Sequence, residues 1–410
     1  MKIIILTQYF PPEVGAPQNR LFELAIRLQK MGADVSVLTA MPNYPQMRIY
    51  DGYRSAFYKM ERMNDLTVHR SWIYVSKSKG IVKRLLNYFS FVISSFWVGV
   101  FKLSKSDYII CESPPLFLGI TSYFLKKFKR AQLVFNVSDL WPESAEKLGL
   151  VTNKTMLGLA TKLEEFLYRN SDLISGQTQG IVRNISGRFP HKKIHWLPNG
   201  VDLGIYNVRE IQEDWRAKNG FIKDDFLLLY AGIIGHAQGL EIIPKAAKQL
   251  QHLPAVKFII LGSGPVKEDI IALTKEYDLN NVFFFDAVSK SQMPAIVAAC
   301  DVAVIPLRKL DLFKGAIPSK IFENLAMKKP ILLGVEGEAK ELFIDEGKCG
   351  VAFEPENDTQ LANAIVEMFN NRSSLAVWGE NGYRYVEANF TRDKIASAFN
   401  RFLRENIRPS

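Results

Sequence analysis

The stretch GAIPSKIFENLA (315–326) sets a lysine and a carboxylate at the predicted start of a helix. Pro318 suits the first helical position, which leaves the amides of Ser319 and Lys320 without an intrahelical partner. The helix dipole and the Lys320 ammonium together favour a bound anion. Arg308, Lys309 and Lys314 lie in the same loop. Glu323 shares a face with Ser319 and Lys320, because helical residues three and four apart are neighbours. The pattern is that of a diphosphate held by Ala316, Ile317, Pro318, Ser319 and Lys320, with Glu323 taking the two hydroxyls of a ribose. The structural alternative is a capped helix with a Lys320–Glu323 pair, worth about 0.2–0.5 kcal/mol.

Four other loops carry groups of chemical interest. VSDLWPES (137–144) follows the apolar run QLVFNV, so Asp139 emerges at a strand's carboxyl end. There it could accept a proton, stabilise a developing cation or bind a sugar hydroxyl; equally, it could cap helix amides. Pro142 suits the start of that helix and Glu143 and Ser144 its first turn. YAGIIGHAQG (230–239) runs from a strand through a glycine-rich turn, where Gly235, His236 and Gln238 could approach a phosphate. GSGP (262–265) has a similar character but is as readily structural. The fourth loop, TQYFPPEVGAPQNR (7–20), holds Glu13, Gly15, Asn19 and Arg20 as a lid over the sheet edge. It lacks the GxGxxG pattern of a dinucleotide site, which removes the main support for hydride transfer.

These loops need a scaffold, and the pattern of the chain supplies one. At 410 residues two domains are expected. Short apolar runs alternate with amphipathic stretches, the signature of parallel α/β layering. In the first half the strands are expected at 2–6, 34–38, 66–70, 107–111, 132–137, 173–176 and 193–197. In the second half they fall at 226–232, 257–262, 282–287, 302–307, 330–335 and 350–354. Each half reads as an open, doubly wound sheet with its ligands beyond the carboxyl ends of the strands. The turn HWLPNGVD (195–202) divides the halves, giving domains at 1–198 and 199–385. Residues 386–410 are expected to return to the first domain as a helix. The N-terminal run MKIIIL is too short for a signal peptide and reads as a buried strand.

Apolar residues make up 48% of the chain and charged residues 23%, an ordinary globular balance. The three cysteines, Cys111, Cys300 and Cys349, are too dispersed for a disulfide framework or metal cluster. The net charge of +10 is concentrated between residues 70 and 130, in Arg70, Lys77, Lys79, Lys83, Arg84, Lys102, Lys105, Lys126, Lys127, Lys129 and Arg130. Only Asp107 and Glu112 oppose them. Within this region LLNYFSFVISSFWVGVF (85–101) runs 17 residues without a charge. It is shorter than the about 20 residues of a usual span and is interrupted by Asn87, Ser90, Ser94 and Ser95. A core helix, an interfacial helix and a marginal span all remain open. Aromatic content between basic flanks suits contact with anionic lipid.

The motifs YFPPEVGAPQNR, LPNGVD, GxGP, PSKIFENLAMKKPIL and GVAFEPEND, in this order, resemble the GT-B glycosyltransferases of family GT4 over nearly the whole chain. MPNYP, DLWPES, GHAQGLE and PSKIFE look most like bacterial L-fucosamine (N-acetyl-L-fucosamine) transferases of O-antigen and capsule assembly. The resemblance implies an α/β fold of two Rossmann-like domains facing a central cleft, with C-terminal helices crossing back. It implies transfer of a sugar from a UDP-sugar, with retention and without a required metal or cofactor. The acceptor would be a sugar on undecaprenyl diphosphate, met by the first domain through Glu13, Gly15, Asn19, Arg20 and Glu143. The uracil would rest near Ala287 and Val288, the diphosphate near Gly235, His236, Gln238 and Lys320, and the ribose on Glu323. Asp139 would orient the acceptor or the donor sugar.

Such a protein would be cytoplasmic, peripheral on the inner face of the cytoplasmic membrane through residues 83–105, and would not bind nucleic acid. Two departures from the family's pattern stand out. Many members carry two glutamates eight positions apart; Glu323 matches the second, but Gly315 occupies the first. GIIGHAQG also lacks the arginine and lysine found there in many members. A GT-B-fold UDP-sugar epimerase and a transferase with a soluble acceptor are the competing readings.

Overall fold

The computed structural model of the protein describes residues 1–408 except Val14, Pro45, Ser78, Lys79, Leu148, Leu150, Gln212 and Glu213. Two compact units result, Met1–Pro198 with the segment from Arg392 on, and Asn199–Thr391. The division falls inside the LPNGVD turn.

The first unit is built on eight strands: β1 Lys2–Leu6, β2 Asp34–Ala40, β3 Tyr58–Met63, β4 Leu66–Ser71, β5 Tyr108–Ser113, β6 Gln132–Val137, β7 Leu173–Gly176 and β8 Lys193–Trp196. Their order is β3-β4-β2-β1-β5-β6-β7-β8. All pairings are parallel except β3 against β4. Period-two alternation divides each strand between two cores. Ile3 and Ile5 join Leu21, Leu24 and Leu28 of helix α1 (Ala16–Lys30) together with Ile395, Phe399 and Leu403 of the C-terminal helix Arg392–Asn406. Ile4 and Leu6 join Phe91 and Val98 of α2 (Ile81–Lys102) and Leu118 and Leu125 of α3 (Leu118–Lys129).

Strand β3 was not expected. Its sequence, YKMERM, alternates charge and apolar residues as an exposed edge strand does. Its Glu61 meets the fully buried Arg70 at 2.5 Å, so Arg70 is an interior ion pair and not part of a basic surface. Two further cations of the expected basic face are drawn inward: Lys126 pairs with Asp172 at 2.7 Å, and Lys129 donates to the carbonyls of Val100 and Leu103. Lys77, Lys83, Arg84, Lys102, Lys105, Lys127 and Arg130 remain exposed, and Lys79 lies outside the described residues.

The second unit holds β9 Phe226–Ala231, β10 Val256–Leu261, β11 Val282–Phe285, β12 Val302–Pro306, β13 Ile331–Gly334 and β14 Gly350–Ala352, ordered β11-β10-β9-β12-β13-β14. Every pairing is parallel. Chain order reverses between β9 and β12, as it does between β1 and β5 in the first unit. Ligands of doubly wound sheets bind at such switch points. The helix Arg372–Asn389 stays with this unit, and so do residues 386–391, which were expected with the first. Phe390 packs against Phe322, Phe343 and Tyr385, and this aromatic cluster holds the segment in place.

Candidate active site

In the second unit the switch-point loops are residues 232–241, after β9, and 307–319, after β12. The turn starts close to its neighbours: a Cβ on Gly262 would stand 1.9 Å from the carbonyl oxygen of Gly232. GSGP is thereby a packing element, which lets the segment that follows β9 run against the segment that follows β10. A short 3-10 turn, His236–Gln238, follows, with His236 exposed and Gly235 buried. Arg308 fastens this turn. Its amide donates to the Ala237 carbonyl at 3.0 Å and its Nε to the His236 carbonyl at 2.6 Å, while Nη2 meets Glu241 at 2.7 Å.

The helix expected at 318–327 covers Lys320–Ala326, with its first intrahelical bonds running from the amides of Ile321 and Phe322 to the Pro318 and Ser319 carbonyls. Ser319 and Lys320 precede those bonds, whereas the Ala316 amide is taken up by the Phe313 carbonyl. The Lys320 Nζ lies 3.8 Å from the centroid of the Tyr230 ring, under the backbone of Gly232. Burial pushes its pKa down to about 7, against the opposing pull of Glu323. The other cations of the loop are matched to carboxylates: Arg308 to Glu241, Lys309 to Glu354 and Lys314 to Asp311. Lys320 is therefore the cation whose ammonium faces an aromatic ring instead of a carboxylate. Glu323 is half-buried one turn on, and Ala287 and Val288 lie in the loop after β11.

In the first unit, the loop after β6 carries Asp139. Its Oδ2 accepts from the Ser144 hydroxyl at 2.8 Å, and burial raises the carboxyl's pKa while Ser144 and the Leu140 amide lower it. Glu143 forms an exposed pair with Lys147 at 2.7 Å. Glu13 is buried, and its carboxylate accepts from the amides of Phe10, Asn43 and Tyr44. It thereby ties the loop after β1 to the MPNYP loop after β2. Gly15 is the N-cap of α1, and Asn19, half-buried, donates its amide to the Gly15 carbonyl.

Arg20 is likewise interior. Its guanidinium donates to Glu112 at 2.5 Å, to Ser138 Oγ at 2.7 Å and to Gln177 at 2.7 Å. Glu112 also accepts from Asn136, whose Oδ1 takes the Ser175 hydroxyl at 2.7 Å. This network spans the carboxyl ends of β5, β6 and β7 and fixes Ser138, the residue next to Asp139. Sequence reasoning missed Asn136, Ser138, Ser175 and Gln177. One signal was available: Glu112 is a lone carboxylate in the apolar strand YIICES.

Helix α2 is long and apolar enough to cross a membrane by length and composition, with mean hydropathy 1.3 over its most apolar window. Its polar residues face the protein. Asn87 donates to the Tyr74 carbonyl, Ser90 accepts from the Tyr74 amide, and Ser94 donates to the Trp72 carbonyl. The outer face, which borders these residues, exposes Val82, Leu86, Phe89, Ile93, Trp97 and Phe101 at helical spacing. Exposed Phe124 and Phe128 of α3 extend this face through Phe96.

The architecture is shared with solved structures. It aligns with the sucrose-phosphate synthase of Thermosynechococcus elongatus over 98% of each chain, with TM-score 0.77 at 17% identity. It aligns with Anabaena HepE, solved with UDP and glucose, over 99% of this chain and 100% of that one, with TM-score 0.73 at 18% identity. The fold is GT-B, two Rossmann-like α/β domains with parallel sheets. Residues 15–200 match the model of the glycosyl transferase 4-like domain, and residues 211–385 that of glycosyl transferases group 1. WcaI of Escherichia coli K12, whose name assigns it to glycosyl transfer in colanic acid biosynthesis, is 28% identical over 89% of this chain and 91% of its own. The chain belongs to the group 1, GT4-like glycosyltransferases.

Proposed function

We propose that the protein transfers a sugar from a UDP-sugar to a sugar carried on a lipid diphosphate, at an anionic membrane surface, in the assembly of a surface polysaccharide. The observation that carries this reading is the orientation of α2. A helix that turns its serines and asparagine inward and six apolar side chains outward, with Lys83, Arg84, Lys102 and Lys105 at its ends, suits an interface with anionic lipid. The colanic acid assignment in WcaI's name and the UDP bound in HepE support the same reading. The MPNYP, DLWPES and PSKIFE motifs favour an N-acetylated deoxyhexosamine such as N-acetyl-L-fucosamine as the sugar. The site of action is then the inner face of the cytoplasmic membrane, and no cofactor is required.

In this mechanism the second unit holds the donor and the first the acceptor. The uracil rests near Ala287 and Val288, and Glu323 receives the ribose hydroxyls. Gly235, His236, Gln238 and the loop Ala316, Ile317, Pro318, Ser319 surround the diphosphate, to which Lys320 gives its positive charge. Stabilising the leaving diphosphate is the largest catalytic contribution. Retention follows from attack on the face the diphosphate vacates, with the leaving phosphate taking the acceptor's proton. Asp139 orients the acceptor hydroxyl. Asn19, Gly15 and Glu143 border the acceptor, while Glu13 and Arg20 shape the loop that receives it.

The test is a screen of UDP- and GDP-sugars with an undecaprenyl-diphosphate-linked N-acetylhexosamine, read by nucleotide release and by the mass of the lipid product. A glycosylated lipid from a UDP-sugar is the expected result. Conversion of the UDP-sugar without any acceptor would instead identify an epimerase.

A further inference from the structure

Beside the carboxyl ends of β2 and β4 lies a groove of about 480 Å³ that the reaction described above does not use. Its walls are Met41, Ile49, Tyr53, Ala56, Phe57 and Trp72, with Ser55 among them, and the lining is predominantly apolar. Phe57 and Trp72 are 57% and 42% exposed, although apolar side chains of this size are ordinarily buried. The geometry points to this groove as the binding site for the polyprenyl chain of the acceptor. The inference rests on the lipid-linked acceptor proposed above and adds where that lipid lies.

Three observations favour this occupant. The groove is held firmly: the Trp72 amide donates to the Phe57 carbonyl at 2.9 Å, and the Met41 amide donates to the Ser71 carbonyl at 3.0 Å. One of its walls belongs to the loop that Glu13 ties to the segment after β1, so it adjoins the expected acceptor loops. Its other wall is continuous with the membrane face, because Ser94 of α2 holds the carbonyl of Trp72 and exposed Ile93 and Trp97 flank that serine.

Charge completes the match. Lys59 stands 4.3 Å from the centre of the Tyr53 ring, and Lys102 stands 5.5 Å from that of Tyr58, next to Phe57. An apolar trough with cations at its rim complements an amphiphile whose anionic head is a diphosphate. The α2 face is a helix surface suited to lying on a bilayer, whereas this groove is an open trough suited to cradling one chain. Its volume falls within the about 300–1,000 Å³ typical of ligand pockets.

The experiment uses the full-length protein and a photoreactive probe, N-acetylglucosamine linked to a diazirine-bearing nonaprenyl diphosphate, in detergent micelles. Labelling of peptides covering 41–57 and Trp72, competed by unlabelled nonaprenyl diphosphate and not by geranyl diphosphate, is expected. Labelling confined to residues 82–101 overturns the inference, since the chain then lies on the helix face. Trp72→Ser and Phe57→Ser should each raise the acceptor KM about tenfold with the nonaprenyl acceptor and leave it unchanged with a geranyl one. Equal loss on both acceptors overturns it, and a Trp72→Phe protein with wild-type behaviour guards against loss of fold. Transfer to lipid-linked acceptors with no chain-length preference removes the groove and keeps the proposed function. Absence of transfer to any lipid-diphosphate acceptor, with the glycosyl group passed instead to a soluble sugar and the nucleotide released, removes both.

Discussion

Lys320 and Tyr230 are stacked: the ammonium of the lysine lies 3.8 Å from the centre of the ring, at the switch point of the second sheet. An ammonium over an aromatic face is stabilised by the ring's quadrupole, but less than by water or a carboxylate. Burial, which strips the ammonium of water, pushes its pKa down from the ordinary 10.5 to about 7, against the opposing pull of Glu323.

A diphosphate arriving beside this lysine favours the charged form and raises its pKa again. On the proposed donor site, UDP binding should therefore take up a proton at pH values above about 7, and affinity for UDP should weaken as pH rises from there. Calorimetry of UDP binding in buffers of different ionisation enthalpy measures the proton uptake. In Lys320→Met the dissociation constant should rise about tenfold, equivalent to about 1.4 kcal/mol, and the pH dependence should vanish. Unchanged proton uptake in that variant would sink the assignment.

Asp139 makes a second pH prediction. Burial raises its pKa, and the hydroxyl of Ser144, at 2.8 Å, restrains that rise. Removing the hydroxyl leaves the carboxyl with a still higher pKa, so the acid limb of the rate profile in Ser144→Ala should move to higher pH. Asp139→Asn should lower kcat by about 10²–10⁴-fold if the carboxylate accepts or orients the reacting proton. Its donor affinity should stay at the wild-type value. A superposable pH profile in Ser144→Ala would mean that Asp139 titrates outside the catalytic cycle.

The Arg20–Glu112 pair is 2.5 Å long with both side chains 4% exposed. Removing one partner from a buried ion pair leaves an uncompensated charge and costs about 3–5 kcal/mol. Arg20→Met or Glu112→Leu should therefore lower the denaturant midpoint markedly, whereas the double variant Arg20→Met/Glu112→Leu should recover part of the loss. The coupling is read from a double-mutant cycle in urea. Additive effects would show that the pair contributes no joint stability.

This network also shows where the sequence stops being informative. The strands were legible because each is a short buried run flanked by turn residues, and the switch-point loops followed from their order. Arg20 and Glu112 are 92 residues apart, and no local pattern reports that the lysine- and arginine-rich loop at 308–314 meets Glu241 and Glu354. Isolated cations therefore looked available for phosphate when three of them were already matched. Strand β3 was missed for a related reason: Lys59, Glu61 and Arg62 interrupt its apolar residues, and only the antiparallel partner β4 makes it a strand. Helix α2 was half legible. Its composition was plain, but which side its serines took depended on the backbone of residues 72–74.

That orientation supports the last prediction. Because Ile93, Trp97 and Phe101 point outward, replacing them does not open a cavity, and thermal stability should change little, within about 0.5 kcal/mol. Trp97→Glu/Phe101→Glu should nevertheless abolish flotation with vesicles containing anionic phospholipid, because two carboxylates would have to enter the interfacial region. Lys83→Glu/Arg84→Glu should weaken flotation and flatten its dependence on salt, since each basic residue near an anionic surface contributes about 1 kcal/mol of attraction that salt screens. Neutral vesicles separate the two contributions: the wild type should bind them weakly through the apolar face, and the charge-reversed variant equally so. Full flotation of Trp97→Glu/Phe101→Glu on anionic vesicles would place the membrane contact elsewhere on the protein and leave the exposed face of α2 without that role.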